Sequence, residues 1–439
     1  MAEDDEVEQL DTAAPETART ELSQDRYGVG RLLALSDGVF AVAMTLLVVD
    51  ITVAQPPAHA TSADGLRAFQ QQLPALGIYA FSFVMVAVYW LNHHRGLRTL
   101  RVATRRVLFR NLALLGLVCL MPFATAFFQR FSNTTAGNEV YLGALFLLGL
   151  MSALIVPWRE RARRASQSPG ARRHVAAIYL EQLGGLPAFA LGFVLARWMP
   201  GTAALIVLCL VVLMGATSWV LARGLREPVP DPDSYGVGRM LALSDDVFAI
   251  ALTLLVLNIT IPHLGALRGQ AQAVALLGRE QGPLTAFVIT FGVVGIYWTT
   301  HHRSLRRVTS VRDNILRRNL VLLFAVCLVP FVTDFFDAWN HTIFGNQFFF
   351  AALGVIGGLT SLVGPTAARV RAGLRGGWVA VRTVGSVAVA TGALPVCVLG
   401  ILLTPVLGPG NAQLVWLLMA PLVVAERIVS GQAARPDPR

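Results

Sequence analysis

The peptide Tyr27-Gly-Val-Gly-Arg31 returns as Tyr235-Gly-Val-Gly-Arg239, an offset of 208 residues (235 less 27). The same offset carries His93-His94-Arg95 onto His301-His302-Arg303, Asn111 onto Asn319, Cys119 onto Cys327, Pro122-Phe123 onto Pro330-Phe331 and Gly192 onto Gly400. A register that holds without a gap over most of each half marks a tandem duplication, so the chain must be built from one unit used twice. Any fold for residues 27–226 has to serve residues 235–430 as well, with 227–234 as the linker.

Hydrophobicity says what kind of unit this is. Apolar residues are 55% of the chain and charged residues 14%, whereas a soluble globule carries about 25% charged residues. Such a chain cannot cover a water-facing surface, and lipid is the solvent for much of it. Runs of about 20 apolar residues cross about 30 Å of hydrocarbon as helix. They lie near 32–54, 73–94, 107–129, 139–158, 174–197 and 202–222, and again near 240–262, 283–302, 315–337, 347–368, 378–401 and 412–430. The expected fold is an all-α membrane protein with twelve transmembrane helices in two six-helix repeats.

Arginine placement orients the helices. The 36 basic residues, all Arg, outnumber 26 acidic ones and give a formal charge of +10. Arg95, Arg98, Arg101, Arg105, Arg106 and Arg110 cluster between spans two and three, and Arg159, Arg161, Arg163, Arg164, Arg172 and Arg173 between four and five. The second copy repeats the bias with Arg303, Arg306, Arg307, Arg312, Arg317 and Arg318, then Arg369, Arg371, Arg375 and Arg382. Alternate loops are basic, which by the positive-inside rule puts both termini in the cytoplasm of a cell membrane. Six spans per copy is an even number, so the repeats enter the membrane in the same direction and are parallel. Topology thus accounts for the basic excess, and nucleic acid drops out as a partner. An all-arginine basic set is also what a GC-rich bacterial genome would encode.

The ends and the cysteines carry less. Residues 1–26, with Glu3, Asp4, Asp5, Glu6 and Glu8, lack the basic-then-apolar order of a secretory signal and read as a disordered acidic cytoplasmic tail; 431–439 read as a C-terminal tail. Cys119, Cys209, Cys327 and Cys397 each sit within an apolar run, without metal-ligand spacing, and read as small packing residues.

The first span of each copy is the most alike, and the residues retained there are polar. Ser36, Asp37 and Thr45 match Ser244, Asp245 and Thr253. Packing alone would keep only apolar character. An ionisable side chain inside a span is costly enough to mark a functional site with a partner, and Arg31, His93, His94 and Arg95 lie at the right depth to partner Asp37. Trp90 and His94 are four apart on span two, as are Trp298 and His302, so each pair shares a face that can meet the motif. Adjacent helical histidines point about 100° apart, which makes His93-His94 a poor chelate. No metal, no cofactor and no enzymatic nucleophile-base set is expected.

Arg-x-x-x-Leu-Ser-Asp, followed by Gly/Asp-Val-Phe-Ala-Val/Ile-Ala-x-Thr-Leu-Leu-Val, occurs at Arg31 and again at Arg239. It resembles the signature of the transmembrane protein 175 family of potassium channels, whose motif is Arg-x-x-x-Phe-Ser-Asp; Leu35 and Leu243 stand where the family has Phe. The resemblance implies that the first helix of each repeat lines the pore, and that two two-repeat chains form a homodimer with four such helices around the axis. Carried over by position, it puts the constriction at Val42 and Ile250, with Leu46, Leu254, Val49 and Leu257 further along, and implicates Thr45 and Thr253 in selectivity. It also makes Arg31, Ser36, Asp37, Arg239, Ser244 and Asp245, with Trp90, His94, Trp298 and His302, a hydrogen-bond network holding the pore helix.

Independently of the resemblance, positions 42, 45, 46 and 49 follow i, i+3, i+4, i+7 and occupy one helical face, which on spacing alone also suits lipid contact or helix packing. A ring of apolar side chains gates by narrowness and dewetting. There is no Thr-Val-Gly-Tyr-Gly filter, so moderate selectivity for potassium ions would come from pore radius and the threonine hydroxyls. Asp50, with Asn258 as its counterpart, would concentrate cations at the mouth or simply solvate a helix end. The competing functional readings are a proton-coupled secondary transporter using Asp37, Asp245 and the histidines, and a proton leak through the same pore.

Overall fold

In a computed structural model the described residues are 16–97, 103–155, 183–222, 236–259, 281–305, 313–363 and 393–418, with isolated positions between 176 and 180 and between 270 and 278. Residues 1–15, the linker 227–234, the C-terminal tail, most of the expected last span 412–430 and most of the arginine loops lie outside them. Among those loop arginines are Arg98, Arg101, the six from Arg159 to Arg173, Arg306, Arg307, Arg312 and the four from Arg369 to Arg382.

All described elements are helical. In the first repeat they are α1 (Glu16–Leu46), α2 (Ser62–Leu97), α3 (Arg105–Phe131), α4 (Thr135–Ile155), α5 (Gly185–Leu195) and α6 (Pro200–Ala222). In the second they are α7 (Gly236–Leu254) with a 3-10 turn at Leu255–Asn258, α8 (Gln281–Leu305), α9 (Asp313–Cys327), α10 (Val329–Trp339), α11 (Ile343–Leu362), α12 (Ala393–Leu407), and a last helical turn at Pro409–Ala412 that runs into a 3-10 segment at Gln413–Leu418. Among the described residues nine helical segments are long and apolar enough to cross a membrane, α9 and α10 acting as one; α5 and α12 are shorter apolar helices.

Local chemistry explains several bounds. α1 begins at Glu16, inside the stretch expected as a disordered tail, and ends at Leu46, eight residues before the end of the expected span; α7 ends at the equivalent Leu254. β-branched residues follow in both copies, Val48, Val49, Ile51 and Thr52 in the first, and their stiff side chains lower helix propensity. The chain tightens there, with Val49 N donating to Leu46 O at 3.2 Å and Ile259 N to Val256 O at 3.0 Å. α2 runs 36 residues, well beyond the expected 73–94. Its start is a capping box, Thr61 N donating to Asp64 Oδ2 at 2.9 Å and Asp64 N to Thr61 Oγ1 at 3.3 Å. Pro330, which has no amide proton, sits at the start of α10 after a break at Leu328, whereas its counterpart Pro122 lies within the continuous α3.

The turn from α3 into α4 is built the same way as that from α10 into α11. Asn138 Nδ2 donates to Ser132 O and Thr134 O at 2.7 and 2.9 Å; Asn346 Nδ2 donates to Asn340 O and Thr342 O at 2.5 and 3.0 Å. A Cβ at Gly137 would run into the carbonyl of Phe131, and one at Gly345 into that of Trp339, so neither position admits a side chain. Behind each turn an aromatic pair stacks, Phe128 on Tyr141 at 4.8 Å and Phe336 on Phe349 at 4.1 Å.

The chain forms two compact units that do not coincide with the sequence repeats. One contains residues 1–43 and 84–243, the other 44–83 and 244–439. In the first, α3 packs on α4, α4 on α5 and α5 on α6, and the opening turns of α7 belong to it. In the second, α11 packs on α9, α10 and α12, and the first-repeat segment 44–83 is added to them. The reason is aromatic packing. Phe69 lies 4.9 Å from Phe348 and 6.1 Å from Phe335, Tyr79 stacks on Phe324 at 5.3 Å, and the Tyr79 hydroxyl donates to Phe324 O at 3.0 Å.

Candidate functional site

The Ser-Asp pair of the α1 motif is buried although both residues are polar. α1 turns Ser36 and Asp37 away from solvent, and both are 0% exposed. Ser36 Oγ donates to Leu32 O at 2.8 Å within the helix and accepts from Asn111 Nδ2 on α3 at 3.0 Å. Asn111 Oδ1 in turn meets His93 Nε2 on α2 at 2.8 Å, and Trp90 Nε1 donates to Asp37 Oδ1 at 2.9 Å. One serine and one aspartate therefore pin three helices together.

The second repeat reproduces this geometry. Asn319 Nδ2 donates to Ser244 Oγ at 2.8 Å, His301 Nε2 meets Asn319 Oδ1 at 2.8 Å, and Trp298 Nε1 donates to Asp245 Oδ1 at 2.8 Å. Even the ring packing is kept, with Phe40 5.7 Å from His93 and Phe248 5.6 Å from His301.

A charged contact also crosses between repeats. Within the first compact unit, Arg239, the arginine of the second motif, serves the aspartate of the first. Its Nη2 donates to Asp37 Oδ1 at 2.7 Å, and its Nε to Oδ2 at 3.0 Å and to Oδ1 at 3.2 Å. Nη1 reaches the backbone oxygens of His93 and His94 at 3.3 and 3.4 Å, and Nη2 lies 2.9 Å from His93 Nδ1. With Nε2 of His93 donating to the Asn111 oxygen, Nδ1 is left as an acceptor for the guanidinium, which fixes the tautomer. Both ionic side chains are almost wholly buried, at 4% and 1%. Burying two charges costs several kcal/mol each unless the pair is well hydrogen-bonded, and the fan of acceptors around Arg239 meets that condition.

His93 and His301 carry ring hydrogen bonds to the network. His94 and His302 lie against the tryptophans, at centroid distances of 4.9 and 5.5 Å. His93 and His94 were both candidate partners of Asp37, and the retained Asn111 and Asn319 were the signal that points to His93 and His301. The pairing of Arg239 with Asp37, 202 residues apart, leaves no local trace in the sequence.

On the remaining face of α1, Leu35, Val42 and Val49 are exposed and Leu46 half-buried. On α7 and its 3-10 turn, Ile250 and Leu254 are half-buried and Leu257 is exposed. Val49 and Leu257 fall just past the α-helical ends, in the tighter turns, so the i+7 step stops short of them. The threonines differ: Thr45 is fully buried, whereas Thr253 is exposed, its Oγ1 donating to Ile250 O at 2.9 Å. Asp50 is exposed and so is Arg31.

The chain matches the family described as endosomal/lysosomal potassium channel TMEM175 at residues 31–122 and again at 239–330. A potassium channel of Chamaesiphon minutus is 31% identical over 173 residues, which are 38% of this chain and 84% of that protein. A potassium channel of Streptomyces collinus is 33% identical over 126 residues, 28% of this chain and 59% of the relative. The human endosomal/lysosomal proton channel TMEM175 is 24% identical over 299 residues, 62% of this chain and 58% of the human protein. The chain thus spans less than two thirds of the length of the human and Streptomyces relatives it matches. Both matched segments open on a motif arginine and close on the proline of the third span, so they enclose every side chain of the network just described, and the chain belongs to the TMEM175 family.

Proposed function

We propose that the protein is a passive, potassium-preferring cation channel, a homodimer whose pore is lined by the first helix of each repeat. Twelve spans, with both termini cytoplasmic, complete the reading. The observation that carries it is the division of α1 into two faces. Ser36 and Asp37 are locked to α2 and α3, while Leu35 and Val42 on the other side are exposed. A helix held by a polar clasp on one face is free to present its apolar stripe to a lumen. The names of the bacterial relatives support potassium as the ion.

In this reading Val42 and Ile250 form the dewetted constriction, with Leu46, Leu254, Val49 and Leu257 beyond it. Thr253 offers its hydroxyl to the permeating ion, and Thr45 packs behind the constriction. Arg31, Ser36, Asp37, Trp90 and His94, with Arg239, Ser244, Asp245, Trp298 and His302, hold the pore helices rather than bind ions. A second reading, proton conduction through the same path, is favoured by the naming of the vertebrate relatives as proton channels.

Liposomes loaded with potassium test both. Uncoupled potassium flux down its gradient, without valinomycin, is the expected result. Proton flux without potassium flux would move the assignment to the second reading, and potassium movement strictly tied to a proton gradient would make the protein a transporter.

A further inference from the structure

The exposed apolar surface of the two repeats is of two kinds. Leu112 on α3 is 60% exposed and its counterpart Leu320 on α9 is 7% exposed, so that face is covered in one repeat only. Leu147 and Leu154 on α4 are 46% and 48% exposed, and their counterparts Val355 and Leu362 on α11 are 58% and 52% exposed. Ala113 on α3 and its counterpart Val321 on α9 are exposed as well. What both repeats leave open meets the solvent both repeats share, and around helices of this length and hydropathy that solvent is lipid.

An arginine stands at the same end of this surface in each repeat. Arg110 on α3 is exposed, and its Nη1 donates to Leu154 O at 3.2 Å; Arg318 on α9 is exposed, and its Nη1 donates to Leu362 O at 3.4 Å. Both acceptors are carbonyls of a last helical turn, which find no partner within their own helix. The bond ties the guanidinium of one helix to the end of the next. It spends one of the five N–H donors of each arginine, and among the described residues neither arginine has a carboxylate partner. Ala113 and Val321 follow three residues on, on the same side of their helices.

A positioned cation at the edge of an exposed apolar strip matches a molecule with an anionic head and an apolar body. A soluble polyanion would use the charge and leave the leucines uncovered. A zwitterionic lipid would cover the leucines and bring its own cation towards the arginine.

We propose that each repeat carries a seat for one anionic phospholipid, between α3 and α4 in the first and between α9 and α11 in the second, pairs of helices that pack together. The phosphate takes the remaining N–H donors of Arg110 or Arg318, to which a planar guanidinium offers two parallel bonds. An acyl chain covers Leu154 and Leu147 in one seat, and Leu362 and Val355 in the other. Each seat adjoins the polar clasp, because Asn111 and Asn319, the next residues on α3 and α9, donate to Ser36 and Ser244. A lipid held there braces the helix that holds the first span of its repeat. The inference requires membrane embedding and is independent of which ion the protein carries.

Native mass spectrometry of the full-length protein in detergent, with dioleoylphosphatidylglycerol or dioleoylphosphatidylcholine added in equal amount, counts the lipids retained. Two phosphatidylglycerol molecules per chain are expected, with phosphatidylcholine held about tenfold more weakly. Arg110→Gln alone and Arg318→Gln alone should each leave one per chain, and the two together none. Ala113→Trp with Val321→Trp fills the apolar side of both seats and touches neither arginine. That variant should also lose the lipid, while its unfolding temperature without lipid stays that of the wild type. Equal retention of the two lipids, or two phosphatidylglycerol molecules still bound by both double variants, overturns the proposal. So does a change of oligomeric mass in Arg110→Gln with lipid retention intact, which would make this face a protein interface.

Discussion

At the residue scale, the most consequential group is Asp37, a carboxylate with 0% exposure fed by donors from two other helices. Asp37→Ala leaves the Arg239 guanidinium buried without its counter-charge, and the expected loss is about 3–5 kcal/mol of stability, read as a lower unfolding temperature in detergent. Asp37→Asn keeps the acceptor for Trp90 and should lose less. At the constriction the expected change is functional. Val42→Ala together with Ile250→Ala widens and wets the apolar ring, so potassium conductance in bilayers should rise while the unfolding temperature moves little. Unchanged conductance would remove these residues from the gate. Much of this site was legible in the sequence, because Ser36, Asp37 and their copies are polar where packing needs none. What was hidden was direction. Adjacent helical residues point about 100° apart, so which of His93 and His94 meets Asn111 turns on geometry that spacing does not fix.

At the element scale, the repeat period read off the sequence carried through to detail, with α1 and α7 ending at equivalent leucines and the turns before α4 and α11 sharing one set of bonds. Helix ends were the less legible part. The apolar run after Leu46 continues to look like span, but its β-branched side chains stop the helix; the capping box at Thr61 starts α2 well before its apolar stretch. The turns allow a sharp test. Gly137→Ala puts a methyl against the Phe131 carbonyl, and Gly345→Ala puts one against that of Trp339, so each should cost about 1–3 kcal/mol. An exposed glycine with open space around its Cβ position, such as Gly215, serves as control and should tolerate alanine. Equal unfolding temperatures for Gly137→Ala and the control would show that the turn relaxes freely.

At the scale of the whole molecule, the second motif's arginine, Arg239, ties the start of the second repeat to the first. Arg239→Gln removes a buried contact made within one chain, so its destabilisation should be the same at every protein concentration. A destabilisation that changes with protein concentration would show that the contact is not made within one chain. No reading of local pattern reveals the Arg239–Asp37 pair, because its members lie 202 residues apart. That distance has a consequence for synthesis. Asp37 leaves the ribosome 202 residues before Arg239 does. At about 5–20 residues per second the wait is about 10–40 s. For that interval the nascent first repeat holds a carboxylate in or near the bilayer without the cation that later neutralises it. Pulse-labelled chains stalled before residue 239 should therefore be cleaved by a membrane-bound protease faster than chains released just beyond it, and the first repeat becomes a finished structure only when the second has begun.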